Sequence, residues 1–138
     1  MKKEIIIAIF IISLVSISDI VTTKITDEKM IDIGNKLETL EVLIQENMKE
    51  ENLEKRDIEN KKIKNYVIDV KNEWINHEEI LSLYIEHEEL EKIGTEVNSL
   101  YSYIESNDDT ECLDSIARLE FILEHLSKKQ DFRLNNFF

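Results

Sequence analysis

The chain has 138 residues, enough for about one domain, and its 30 acidic against 17 basic residues give a formal net charge of −13. An acidic chain with no basic stripe and no platform of stacking aromatics excludes nucleic acid as a partner, because a phosphate backbone is held by clustered Lys and Arg. The single cysteine, Cys112, excludes an internal disulfide framework, and with no proline and only two glycines almost nothing punctuates the helical periodicity, so the predicted class is all-α.

The first element is "MKKEIIIAIFIISLVSISD": two lysines, an uncharged run from Ile5 to Ser18, then Asp19. The run is short of the roughly 20 residues of a comfortable membrane span, yet too apolar for a surface segment. Two readings stay open. As a signal peptide it has a charged start and an apolar centre, with Ser16 and Ser18 placed before a cut at Asp19. As an uncleaved anchor the helix continues through Ile20 and Val21, and this reading is favoured because no helix breaker, lipobox cysteine or A-x-A site is present. Either way Lys2 and Lys3 stay cytoplasmic and the rest of the chain lies outside, the topology of a single-pass protein of the cell membrane with an extracytoplasmic C-terminal domain.

Apolar residues then recur at helical spacing. A second segment carries Met30, Ile33, Leu37, Leu40, Ile44 and Met48, with Thr26-Asp27-Glu28 as its expected start. "NMKEENLE" makes a polar corner. A third carries Leu53, Ile63, Tyr66, Val67, Val70, Trp74 and Leu81, and a fourth Leu90, Ile93, Val97, Leu100 and Ile104. "SNDDTECL" reads as a helix start in which Asp108 or Asn107 accepts from free backbone N–H groups and Glu111 reaches back as in a capping box. A fifth carries Leu113, Ile116, Leu119, Leu123 and Leu126, and the chain ends in "FRLNNFF". The predicted architecture is an N-terminal membrane helix (residues 1–22) followed by an acidic antiparallel helical bundle (23–130) of two helical hairpins, about 26–81 and 86–128, and an aromatic tail (131–138).

Sliding the chain by 60 residues lays "ITDEKMIDIGNKLETLEVLIQEN" over "IEHEELEKIGTEVNSLYSYIESN", bringing Gly34 onto Gly94 and Asn47 onto Asn107. Two rare glycines in register point to a duplicated hairpin. In this alignment His87 takes the place of Asp27, which makes it a first-turn residue beside carboxylates that suit the positive end of the helix dipole. Both glycines are expected where a neighbouring backbone comes close.

No metal or cofactor pattern survives inspection. His77 lacks the second histidine of a zincin, the residues three before His77, His87 and His125 are Trp74, Tyr84 and Ile122 rather than Glu, and "NDDTE" lacks the glycine of a calcium loop. No Ser or Cys stands in a strained nucleophile turn and no glycine-rich loop could cradle phosphates. Catalytic, cofactor-binding and metal residues are therefore none, cofactors none, and an enzyme is not expected.

From Trp74 onward the landmarks are Trp74 itself, "ILSLYIEHEELEKI" with Ile85, His87 and Glu89, then "LEFILEHL", then an "NFF" ending. In these the chain resembles a family of small proteins of spore-forming Gram-positive bacteria, domain of unknown function 4363. The resemblance implies a helical extracytoplasmic domain behind a membrane segment, often encoded beside an integral membrane protein, and implies no activity.

The expected role is a non-enzymatic accessory or scaffolding partner of an integral membrane protein. The alternative is a secreted or tethered sensor that binds a small ligand, in a groove between the hairpins, or a cation. Candidate structural or interaction positions are Trp74, Tyr84, His87, Glu89, Gly94, Phe132, Phe137 and Phe138. An up-and-down path brings the tail, Tyr84 and Trp74 to the membrane-proximal end.

Overall fold

The computed structural model describes residues 2–135, the side chains of Lys2, Asp19, Ile58 and residues 130–135 excepted. Four helices follow in order: α1 (Lys2–Lys49), α2 (Leu53–Leu81), α3 (His87–Glu105) and α4 (Asp109–Asn135). The predicted membrane segment and the second predicted helix are thus one helix of 48 residues. The expected start at Thr26-Asp27-Glu28 is absent. Nothing between Ile17 and Lys29 breaks a helix, and Thr26 is 0% exposed, so it is packed inside the bundle rather than standing at a terminus.

Each helix packs on two neighbours in a ring, α1 on α2, α2 on α3, α3 on α4 and α4 on α1. Polar pairs fix the antiparallel register. Lys36 on α1 pairs with Glu73 on α2, Lys64 on α2 with Glu105 on α3 at 2.7 Å, and Arg118 on α4 with Glu96 on α3 at 3.0 Å. The enclosed core is an apolar stripe from every helix, with Leu37, Leu40, Leu81, Ile93, Leu100 and Leu119 among the side chains buried completely. Burying each such side chain stabilises the fold by about 1.5–3 kcal/mol relative to leaving it in water. Cys112 is one of them, and burial first, then Asp109 and Asp108, pushes its thiol up to about 12.

Two predicted stripe residues are exposed. Met48 is 44% exposed and Asn47 takes the inward position at 3%, donating from Nδ2 to Oδ1 of Asn60. The step from Ile44 is three residues there, not four. Leu53 is 76% exposed because it opens α2 beside its cap, Asn52, whose Oδ1 accepts from the Lys55 N–H at 3.2 Å.

The α3–α4 corner is built by local hydrogen bonds. Asn107 takes the left-handed conformation, φ 55°. The Asn107 N–H donates to the Ile104 carbonyl at 3.2 Å and the Asp108 N–H to the Tyr103 carbonyl at 2.9 Å, the paired bonds of a Schellman ending. Asp108 then caps α4, its Oδ1 accepting from the Glu111 N–H at 3.2 Å. Only half of the expected capping box forms, since the Asp108 N–H is already committed to α3.

The burial pattern follows the 60-residue offset. Met30 and Leu90, Ile33 and Ile93, Leu37 and Val97, and Leu40 and Leu100 are all buried. The match fails at both ends: Ile25 is exposed where Ile85 is buried, and Asn47 is a buried amide where Asn107 is a turn residue.

Candidate functional site

Three surfaces of the bundle are not explained by its own stability. The first is the protruding end of α1. From Ile5 to Val21 the large apolar side chains are 51–66% exposed on every side of the helix, and burial begins only at Thr22. Among the described residues, α1 is the one helix long and apolar enough to cross a membrane.

The second is an open groove of about 650 Å³ between α3 and α4. Its charged side chains are largely paired with one another. Glu96 Oε2 accepts from Arg118 Nε at 3.0 Å and from Ser115 Oγ at 3.0 Å, and Lys92 Nζ lies 3.1 Å from Glu88 Oε1. Those contacts, Glu96 to Arg118 and Glu88 to Lys92, hold both cations above their usual values. Phe121 stands 71% exposed among them. The arrangement offers an apolar ring within a rim of internally satisfied charges, suited to receiving an apolar side chain or a helix. Sequence reasoning passed over Phe121, although the signal was present: two positions after Leu119 places it about 200° round the helix from the core stripe.

The third is the α2–α3 turn, where Leu83 is 71% and Tyr84 40% exposed between buried Leu81 and Ile85.

The predicted positions do not form one site. Trp74 is buried at 2% and lies mid-bundle against Gly94, not at the membrane-proximal end, because it faces the level of Lys36 rather than that of Thr22. The close backbone approach expected at the glycines is also absent. A Cβ on Gly94 would meet only the Trp74 Nε1 at 3.4 Å, and one on Gly34 would meet nothing within 4 Å. Tyr84 and His87 sit at the end of the bundle nearer the exposed apolar stretch of α1, His87 as the exposed first residue of α3. Glu89 is half-buried, 3.8 Å from Lys92. The side chain of Phe132, with Phe137 and Phe138, lies outside the described residues.

One polar cluster lies on the α1–α2 face. His77 Nε2 is 3.6 Å from Glu73 Oε1, too long for a hydrogen bond, and the imidazole is held below its ordinary value by burial and by Lys29 and Lys36, against an opposing pull from Asp32. On the α1–α4 face, burial and then Glu41 and Glu38 raise Glu120. Among the described residues no group of three or more His, Cys, Asp and Glu is gathered to hold a metal ion.

The family model described as domain of unknown function 4363 matches residues 24–137, most of the chain. The chain belongs to that family. The matched span of the 4363 family covers α2, α3, α4 and the bundled part of α1 from residue 24, and begins just past the exposed apolar stretch of α1. No curated protein matches the chain, and no solved structure does.

Proposed function

We propose that this member of the 4363 family is a single-pass protein of the cell membrane, its N-terminus cytoplasmic and its acidic bundle extracytoplasmic, acting as a non-enzymatic accessory or scaffold for an integral membrane protein. The observation that carries the reading is the continuity of α1, in which an apolar stretch exposed on all sides runs without a break into the buried stripe of the bundle. A helix exposing Ile and Phe all round is unstable in water and stable in lipid. Lys2 and Lys3 ahead of it supply the orientation. Phe121 in the α3–α4 groove supports a protein partner, since an exposed aromatic ringed by polar side chains is the usual centre of a contact.

Capture from detergent-solubilised membranes tests the role. A membrane protein that co-purifies with the full chain and is lost with Phe121→Glu supports it, whereas recovery of the chain alone from both opposes it.

A second reading, a cleaved and secreted ligand-binding domain, draws on the same groove, whose volume of about 650 Å³ is in the range of small-molecule sites. That groove lies within the second hairpin rather than between the two. The mass of the mature protein separates the readings, because a new N-terminus near Asp19 removes the tether.

A further inference from the structure

We infer that the α2–α3 turn is a second membrane contact, with Leu83 and Tyr84 seated in the lipid headgroup layer beside the point where α1 enters the membrane. The inference rests on the membrane reading of α1.

The turn is held at that level by the register of the bundle. Lys36 pairs with Glu73, and Asn47 with Asn60, so numbers fall along α1 as they rise along α2, and residue 84 comes level with residue 25. Val21, the last residue of the exposed apolar stretch, is four positions further down, about 6 Å at about 1.5 Å per residue. The headgroup layer on each side of a bilayer is about 5–8 Å thick. The uncharged run from Ile5 to Ser18, which Asp19 closes, is about 21 Å long, short of the hydrocarbon thickness of about 30 Å. A short span is accommodated by drawing its flanks toward the lipid, which lowers the turn further into the interface.

The turn itself is built for such a place. From Ile80 to Ile85 it is uncharged, in a chain rich in carboxylates. Leu81 and Ile85 are buried and clamp it from both sides, leaving Leu83 outside at 71% exposure and Ile80 at 45%. Its backbone is satisfied internally: Ser82 N–H donates to the Glu78 carbonyl at 2.8 Å, Tyr84 N–H to Leu81 at 3.0 Å and Ile85 N–H to Leu81 at 2.9 Å. No backbone donor of this set has to be stripped of water on entering the interface. Glu86, the next charge, is bonded by Lys129 of α4 at 2.8 Å, which reduces its repulsion from lipid phosphates. A tyrosine with its ring in the acyl boundary and its hydroxyl among headgroups is in its preferred membrane position. Two contacts, α1 and the turn, hold the bundle upright where α1 alone leaves it free to tilt.

The test places an environment-sensitive fluorophore on Leu83→Cys and, separately, on Leu53→Cys, an equally exposed leucine at the opposite end of the bundle. The native Cys112 is buried, which shields its thiol from the label. The full-length protein is reconstituted into phosphatidylcholine vesicles and washed at alkaline pH. A blue shift at position 83, with loss of quenching by iodide and gain of quenching by doxyl-labelled lipid, while position 53 stays iodide-accessible, is the expected result. If position 83 behaves like position 53 in chains that survive the wash, the turn contact is wrong and the tether stands. If the wash removes the chain, the tether itself is wrong and the inference falls with it. Protection at position 83 in native membranes but not in pure lipid assigns the turn to a protein and overturns the lipid contact.

Discussion

His77 couples the stability of the bundle to pH. Burial, Lys29 and Lys36 hold its imidazole below the ordinary value of 6.5. The unfolded chain therefore binds the proton more readily than the folded one, so stability is complete above about pH 6.5 and declines as pH falls toward the lower folded value. The melting temperature of the full chain in detergent should drop more steeply between neutral and mildly acidic pH than that of His77→Gln; parallel curves would contradict this. The glycines give a prediction of opposite sign to that of tight packing. Because a Cβ meets nothing at Gly34 and an ordinary contact at Gly94, Ala at either position should stabilise by about 0.5–1 kcal/mol through helix propensity. A fall in stability for Gly94→Ala would mean that the Trp74 indole cannot yield.

At the scale of the elements, the helix ends divide into those written locally and those decided by packing. The α3–α4 corner was legible because Asn107 and Asp108 are the residue types that a left-handed ending and a cap require. Replacing Asp108 by Ala leaves a first-turn N–H of α4 without its acceptor and should cost about 1 kcal/mol in chemical denaturation, and Asp108→Asn should restore most of it. The start expected at Thr26 failed for the complementary reason. Thr-Asp-Glu can begin a helix only if the chain before it is not already helical, and α1 runs unbroken from Lys2 through Thr26 to Lys49. Asn47 shows the same limit. Three-step and four-step continuations from Ile44 are equally regular, and only the position of Asn60 across the α1–α2 interface makes the amide the inward one.

For the whole molecule, the four amphipathic stripes were enough to read an antiparallel all-α bundle, since each stripe has one face to bury and short corners force neighbours to run in opposite directions. The candidate surfaces were less legible. Phe121 and Leu83 matter for lying outside the core, and a pattern that finds cores registers such residues only as exceptions. The continuity of α1 carries the functional reading, and a single labelling measurement addresses it. Glu51→Cys puts a thiol in the exposed α1–α2 corner, the end of the bundle furthest from the apolar stretch. Intact cells producing this variant are treated with a membrane-impermeant maleimide, and their membranes are then washed at alkaline pH. The predicted result is a labelled chain of full length retained in the washed membranes. A chain that reacts only after the cells are permeabilised, or one labelled but shortened near Asp19 and released by the wash, would contradict a tethered extracytoplasmic bundle.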